Sequence, residues 1–217
     1  MPNTRRLHLL PTDQYVGVTR DDPIRFYRWP VIGRLYRRRV EWCLNELSGG
    51  QSILEVGFGS GLALLNLSEL YREIHGLDLT ADAKLVQANF AARGVKADLR
   101  SGSVLRMPYG ACAFDSVLLI SVLEHLRPSE LPVAMAEIAR VLRPGGQCVY
   151  GVPVERPLMT WAFRVLGYDI HRHHFSTHED VASAAADVFA PSRVLRMKGI
   201  PAFSGAVYEV GHFLKRS

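Results

Sequence analysis

Gly57, Gly59 and Gly61 alternate with larger residues in the stretch ILEVGFGSGLALL, residues 53–65, and Asp78 follows 21 residues after Gly57. Glycine lets a chain turn sharply and leaves its main-chain N–H groups open to a ligand. Where such a turn leads into a helix, the unpaired N–H groups and the helix dipole favour an anionic group. A carboxylate about 20 residues further on, ending the next strand, accepts hydrogen bonds from ribose hydroxyls. Together they suit a nucleoside-bearing ligand with an acidic end. A second set of residues could move protons near neutral pH. His125 stands in VLEHL, and His171, His173, His174 and His178 cluster in HRHHFSTH. His174 and His178 have the i, i+4 spacing of two metal ligands on one helix face. A helix boundary at Ser176–Thr177 would separate them, and no acidic or cysteine third ligand stands out, so no metal is expected.

These groups need strands and helices to hold them. Ile32, Leu35, Tyr36, Val40, Cys43, Leu44 and Leu47 recur near a 3.6-residue period and predict a helix over 29–47, stopped by Ser48-Gly49-Gly50. Strands and helices then alternate: strand 52–56, helix 60–71, strand 74–77, helix 81–93, strand 95–100, strand 114–120, helix 129–142, strand 147–152. Such alternation predicts right-handed crossovers and a parallel sheet covered on both faces. A helix over 178–188 and strands over 193–198 and 206–214 follow, and a hairpin-like return would make the last strand antiparallel. The expected fold is α/β, a seven-stranded, mostly parallel sheet with an antiparallel last strand and helices on both faces. One domain spans 1–217: an N-terminal helical cap (1–50), a ligand-binding core (51–152), a substrate-cover segment (153–178), and a final helix and strands (179–217).

The chain has 217 residues, 48% of them hydrophobic and 22% charged, as expected of one globular unit with a substantial core. No apolar run approaches the roughly 20 residues of a membrane-spanning helix, and no signal peptide is expected. Cys43, Cys112 and Cys148 have no paired spacing and read as reduced thiols of a cytoplasmic protein. The net charge of +5 is concentrated in Arg20, Arg25, Arg28, Arg34, Arg37, Arg38 and Arg39. That segment reads as a solvated helix face or as a contact for an anionic partner.

Four pieces in order resemble the class I S-adenosylmethionine-dependent methyltransferases, in particular those acting on small molecules, quinones and lipids. They are ILEVGFGSG (53–61), GLDLT (76–80), SGSVLRMPYGACAFDSVLLISVLEHL (101–126) and AMAEIARVLRPGGQCVYGVP (134–153). The resemblance covers about Ser52 to Val152 and implies a Rossmann-like methyltransferase fold with S-adenosyl-L-methionine as cofactor. It implies that the amides of Gly57, Phe58, Gly59 and Gly61 meet the carboxylate of the methionine moiety. Glu55 would face the amino end of that moiety or hold the turn, and Asp78 would bind the ribose. Leu79 and Met107 would cover the adenine, with Ser103 and Val104 beside it, and the backbone near Leu119 and Ile120 would line the methyl-donor end. The family commonly has an aspartate where Ser103 stands, so the bond to the adenine amino group lacks charge assistance here and binding is expected to be weaker.

The resemblance also places His125 near the methyl-donor end and makes His171 the stronger candidate for an active-site base. Glu124 reads as structural or helix-capping. Ser176 or Thr177, with Glu179 or Asp180, would start the next helix. The flanks supply Tyr15, Phe26, Tyr27, Trp29, Trp161, Phe163 and Tyr168, suiting an apolar, aromatic or lipid-like acceptor or simply filling a core. The arginines of FYRWPVIGRLYRRRVEW beside those aromatics suit contact with a membrane surface, or with a phosphate or carboxylate on the substrate. Nucleic acid is not expected as a partner. Two other readings stay open: a methyltransferase-like binding protein without turnover, and a nicotinamide-dependent oxidoreductase. Against the latter, Leu62 stands where a dinucleotide fold wants a small residue.

Overall fold

The structure is a computed structural model of the chain, and it describes residues 4–17, 23–154, 174–198 and 205–216. His171, His173, Trp161, Phe163 and Tyr168 lie outside the described residues. Helix α1 spans Pro30–Glu46, β1 Gly50–Val56, α2 Leu64–Leu70, β2 Tyr71–Asp78, α3 Ala83–Ala91 and β3 Asp98–Ser101. They are followed by β4 Phe114–Ile120, α4 Leu131–Val141, β5 Leu142–Pro153, α5 His178–Val188, β6 Phe189–Lys198 and β7 Ala206–Lys215.

The seven strands form one sheet in the order β3-β2-β1-β4-β5-β7-β6. The first five are parallel, and β7 runs antiparallel between β5 and β6. The expected fold is thus observed. Alternation within the strands sorts side chains to the two faces. Ile53, Leu118 and Val149 join one core with Val40, Cys43 and Leu44 of α1, Leu67 of α2 and Phe90 of α3. Their neighbours Leu54, Val117, Leu119, Cys148 and Tyr150 join a second core with Met135 and Ile138 of α4 and Val181 of α5. Both faces of the central strands are therefore buried, which is why those strands read as near-continuous apolar runs.

Several boundaries differ from expectation, among them the starts of β2 at Tyr71 and of β6 at Phe189, three and four residues early. The helix after the glycines begins at Leu64 rather than Ser60, because Gly61 holds φ 85°, outside helical geometry. A Cβ at Gly61 would lie 2.6 Å from Cε2 of Phe90, so the turn packs tightly on α3. Strand β5 starts at Leu142, and Arg143–Gly146 form an irregularity within it, the register jumping from Phe114↔Leu142 to Ser116↔Gln147. Strand β3 begins at Asp98, three residues later than expected.

The segment before α1 holds only two 3-10 stretches, Thr12–Gln14 and Pro23–Arg28, among its described residues, yet it contributes Leu7, Tyr15, Ile24 and Tyr27 to the first core. Asn66 of α2 ties it down, accepting from His8 N (2.9 Å) and donating to Arg6 O (2.8 Å). Arg5 donates to the carbonyls of Leu44 and Leu47, capping the end of α1 where carbonyls lack helical partners. No helix among the described residues is long and apolar enough to cross a membrane.

Candidate functional site

Strand order reverses between β1 and β4, and in open parallel sheets the crevice beyond such a switch point takes the ligand. The glycine turn lies there. Gly57, Gly59 and Gly61 have φ of 77°, 52° and 85°, all left-handed. Gly57 N donates to Leu77 O and Gly61 N to Phe58 O, each at 2.7 Å, which closes the turn against the end of β2. Asp78, the last residue of β2, reaches across: its Oδ2 accepts from Gly59 N at 2.9 Å. Its Oδ1 accepts from Thr80 N (2.8 Å) and Ala81 N (2.9 Å). Asp78 therefore fixes both lips of the crevice, and Oδ2 keeps acceptor capacity for a ligand hydroxyl.

Glu55, one residue before the end of β1, is 3% exposed, and its Oε2 has no hydrogen-bond partner. Burial, reinforced by the charge of Asp78, pushes its pKa up to about 8. An unpartnered carboxyl oxygen in a buried place calls for a donor, and a cationic one answers both burial and charge.

The remaining expected contacts divide by where their side chains lie. Leu79 is 73% exposed at the mouth, free to cover a flat ligand. Phe58, Val104, Met107 and Leu119 are buried in the cores, and Met107 N is already bonded to Glu137 Oε2 at 2.9 Å. Ile120 is partly buried against the first core. Ser103 Oγ accepts from Leu105 N at 3.2 Å and retains a second lone pair.

Beyond β4 the chain turns through Ser121, at a left-handed φ of 56° uncommon for a residue other than glycine. Its Oγ lies 3.0 Å from Tyr208 Oη on β7. A single 3-10 turn, Leu123–His125, follows. Glu124 O accepts from Phe175 N (2.8 Å) and from Ser176 N (3.3 Å), and Ser176 Oγ donates to Leu126 O (2.6 Å). These bonds hold His174 against the turn, with its ring centroid 5.2 Å from that of His125. Glu124, His125 and His174 each bring one ligand atom within 4.8 Å of the others, a set able to close on a divalent ion or to relay a proton. Glu124 is 2% exposed, and burial raises its pKa to about 7 despite the opposing effect of His125 and Arg39.

The sequence reading gave Glu124 a structural role and found no third ligand for the histidines. Its two partners are Glu124 and His125, about 50 residues away along the chain. His174 and His178 do not share a helix face: α5 begins at His178, with Thr177 as N-cap and Asp180 completing the capping box. A cleft of about 600 Å³ also opens among Leu7–Thr12, Tyr27 and Arg37, lined by none of the residues of the crevice.

Residues 54–150 match the family model described as a methyltransferase domain. Over that stretch the chain is similar to a methyltransferase domain. YdaC, an uncharacterized methyltransferase of Bacillus subtilis, is 33% identical over 112 residues, 49% of this chain and 60% of that protein. A ubiquinone biosynthesis O-methyltransferase of Nitrosococcus oceani is 30% identical over 132 residues, 59% of this chain and 55% of that protein. The chain thus spans little more than half the length of these curated relatives. The N-methyltransferase NodS of Bradyrhizobium japonicum, solved with S-adenosyl-L-homocysteine, shares the fold with a TM-score of 0.69 at 17% identity, covering 94% of this chain and 97% of that one.

Proposed function

We propose that this methyltransferase domain binds S-adenosylmethionine in the crevice between β1 and β4 and transfers its methyl group to a small apolar, aromatic or lipid-like acceptor. The observation that carries the reading is the Gly59 N–H to Asp78 bond, which joins the glycine turn to the ribose-binding carboxylate at the switch point. The residues fit the cofactor. Gly57 and Gly61 hold the turn in a shape that a Cβ would disrupt, meeting Val122 in one case and Phe90 in the other. The unpartnered Glu55 Oε2 suits an ammonium, and Asp78 Oδ2 suits a ribose hydroxyl. The bound cofactor supplies a methyl group already activated on a sulfonium. The chain's part is then to hold the acceptor in line with it, an orientation worth up to about 7–11 kcal/mol in favourable cases. For a hydroxyl or ammonium acceptor, His125 takes the proton, supported by Glu124 and His174. His171 remains a proposed second base. The ubiquinone-pathway relative supports an apolar acceptor.

The deciding measurement is calorimetry with S-adenosylhomocysteine and, separately, NADH. Micromolar binding of the first and none of the second is expected; the reverse would make the chain an oxidoreductase. Label transfer from methyl-labelled cofactor to a metabolite extract then separates an enzyme from a binding protein without turnover.

Glu55 supplies a further expected result. In the free protein it is raised to about 8 and carries its proton at pH 7. An ammonium beside it draws the pKa down, so binding S-adenosylhomocysteine at pH 7 expels part of that proton. The release fades above pH 8, where Glu55 has already ionised. Titrations in buffers of different ionisation enthalpy measure it, and Glu55→Gln removes the release while weakening binding about tenfold or more.

A further inference from the structure

Arg39 belongs by sequence to the basic face of α1, yet its side chain turns inward. Its Cζ lies 3.8 Å from the ring centroid of Tyr36 and 5.3 Å from that of Tyr208. Its Nε is buried without a hydrogen-bond partner, and among the described residues no ion pair engages the guanidinium. Burial by itself favours the neutral form, yet the Arg39 pKa is raised and the guanidinium keeps its charge, with the Glu124 carboxyl near it. A guanidinium lying over aromatic rings keeps its in-plane N–H fork available, the geometry that pairs with an oxyanion. A buried guanidinium N–H without a partner is costly, so a ligand oxygen that reaches Nε gains by pairing it.

The position gives the fork its meaning. Tyr208, beneath Arg39, bonds to Ser121, which follows the last residue of β4, and the side chain of Ser121 also bonds to Glu124. Glu124 keeps an Oε2 that is buried and unpartnered. Arg39 and Glu124 thus bring two unfilled groups of opposite charge to the end of β4, beside the edge of the crevice where Val122 packs on Gly57.

We propose that Arg39 anchors an oxyanion, a carboxylate or phosphate, on the methyl acceptor, so that the acceptor is an acidic small molecule. The inference rests on the methyltransferase reading of the crevice. Arg39 and Glu124 carry the charge at this place, with His125 on the 3-10 turn, His174 docked on it, Cys43 on α1, and the phenols of Tyr27, Tyr36 and Tyr208 around them. An anion docking on Arg39 meets the Glu124 carboxyl, so removing that charge strengthens binding.

The test uses the full chain saturated with S-adenosylhomocysteine, titrated calorimetrically with 4-hydroxybenzoate, phenyl phosphate and the uncharged 4-hydroxybenzyl alcohol. At least one acid is expected to bind about tenfold or more tightly than the alcohol, and the two acids distinguish carboxylate from phosphate. Arg39→Gln should erase that preference while leaving affinity for S-adenosylhomocysteine unchanged. Glu124→Gln should strengthen acid binding several-fold, and it decides the matter should Arg39→Gln fail to fold. Equal binding of acid and alcohol, no acid binding at millimolar concentration, or an acid affinity indifferent to both substitutions overturns the proposal. Loss of S-adenosylhomocysteine binding by the unsubstituted chain would instead overturn the cofactor reading, and it is measured first.

Discussion

Asp78→Ala should abolish measurable binding of S-adenosylhomocysteine while leaving the sheet folded. The carboxylate is both a ligand group and part of the crevice's frame. Oδ2 takes the Gly59 amide, and Oδ1 takes the amides of Thr80 and Ala81, with Thr80 Oγ1 at 3.3 Å. Alanine leaves the glycine turn untethered and removes the acceptor for the ribose. Two charge-assisted hydrogen bonds to ligand are worth about 3–6 kcal/mol, so affinity falls by about 10² to 10⁴ from this cause alone. Loosening of the turn adds to it. Asp78→Asn is the informative companion. An amide offers one acceptor oxygen, which can serve Gly59 or the Thr80–Ala81 pair but not both, so its affinity should fall between parent and alanine. Calorimetry on variants with a cooperative melting transition checks both. Parent-like affinity in folded Asp78→Ala would remove the ribose role.

Why Asp78 was legible in the sequence and Arg39 was not follows from where their signals lie. Asp78 closes a strand that begins soon after a helix, and its spacing from Gly57 is set by one βαβ unit, a local feature of the chain. The strand cores were visible for the same reason. In ILEV and VLLI every residue is apolar or functional, and alternation sends Ile53 and Leu54, or Leu118 and Leu119, to opposite cores. The grouping of Glu124 and His125 with His174 depends on a contact between segments 50 residues apart, made by main-chain bonds that no side-chain pattern announces. Arg39 did leave a trace. It stands three residues after Tyr36 and four before Cys43, on the stripe that carries Val40 and Leu47 into the core. Charge alone assigned it to the solvated face, whereas helical position assigned it to the interior, and position prevailed. Glu55 is similar: it shares the face of Ile53, buried on the side of α1 and α2.

Gly59→Val should match Asp78→Ala in its loss of binding, and a second glycine makes the comparison decisive. Gly59 holds φ 52° and Gly94 holds φ 81°, a region that valine enters only under strain. A Cβ on Gly94 meets nothing within 4 Å. Gly94 ends α3, where Gly94 N donates to Ala91 O at 3.0 Å, on the way back to the start of β3 and so at the opposite end of the sheet from the crevice. Valine at either position forces a left-handed residue into strain of about 1–2 kcal/mol or more and should lower the melting temperature by a few degrees. At Gly94 that is the whole effect, and the affinity for S-adenosylhomocysteine stays at the parent value. At Gly59 the strain shifts the amide that Asp78 accepts and puts a branched side chain over the N–H groups meant for the cofactor's carboxylate, so affinity falls by about 10² or more. Gly59→Ala, with one methyl in place of three carbons, should lie between. If both valine variants bind alike, the turn is a structural corner, and the anion-binding role of its amides is excluded.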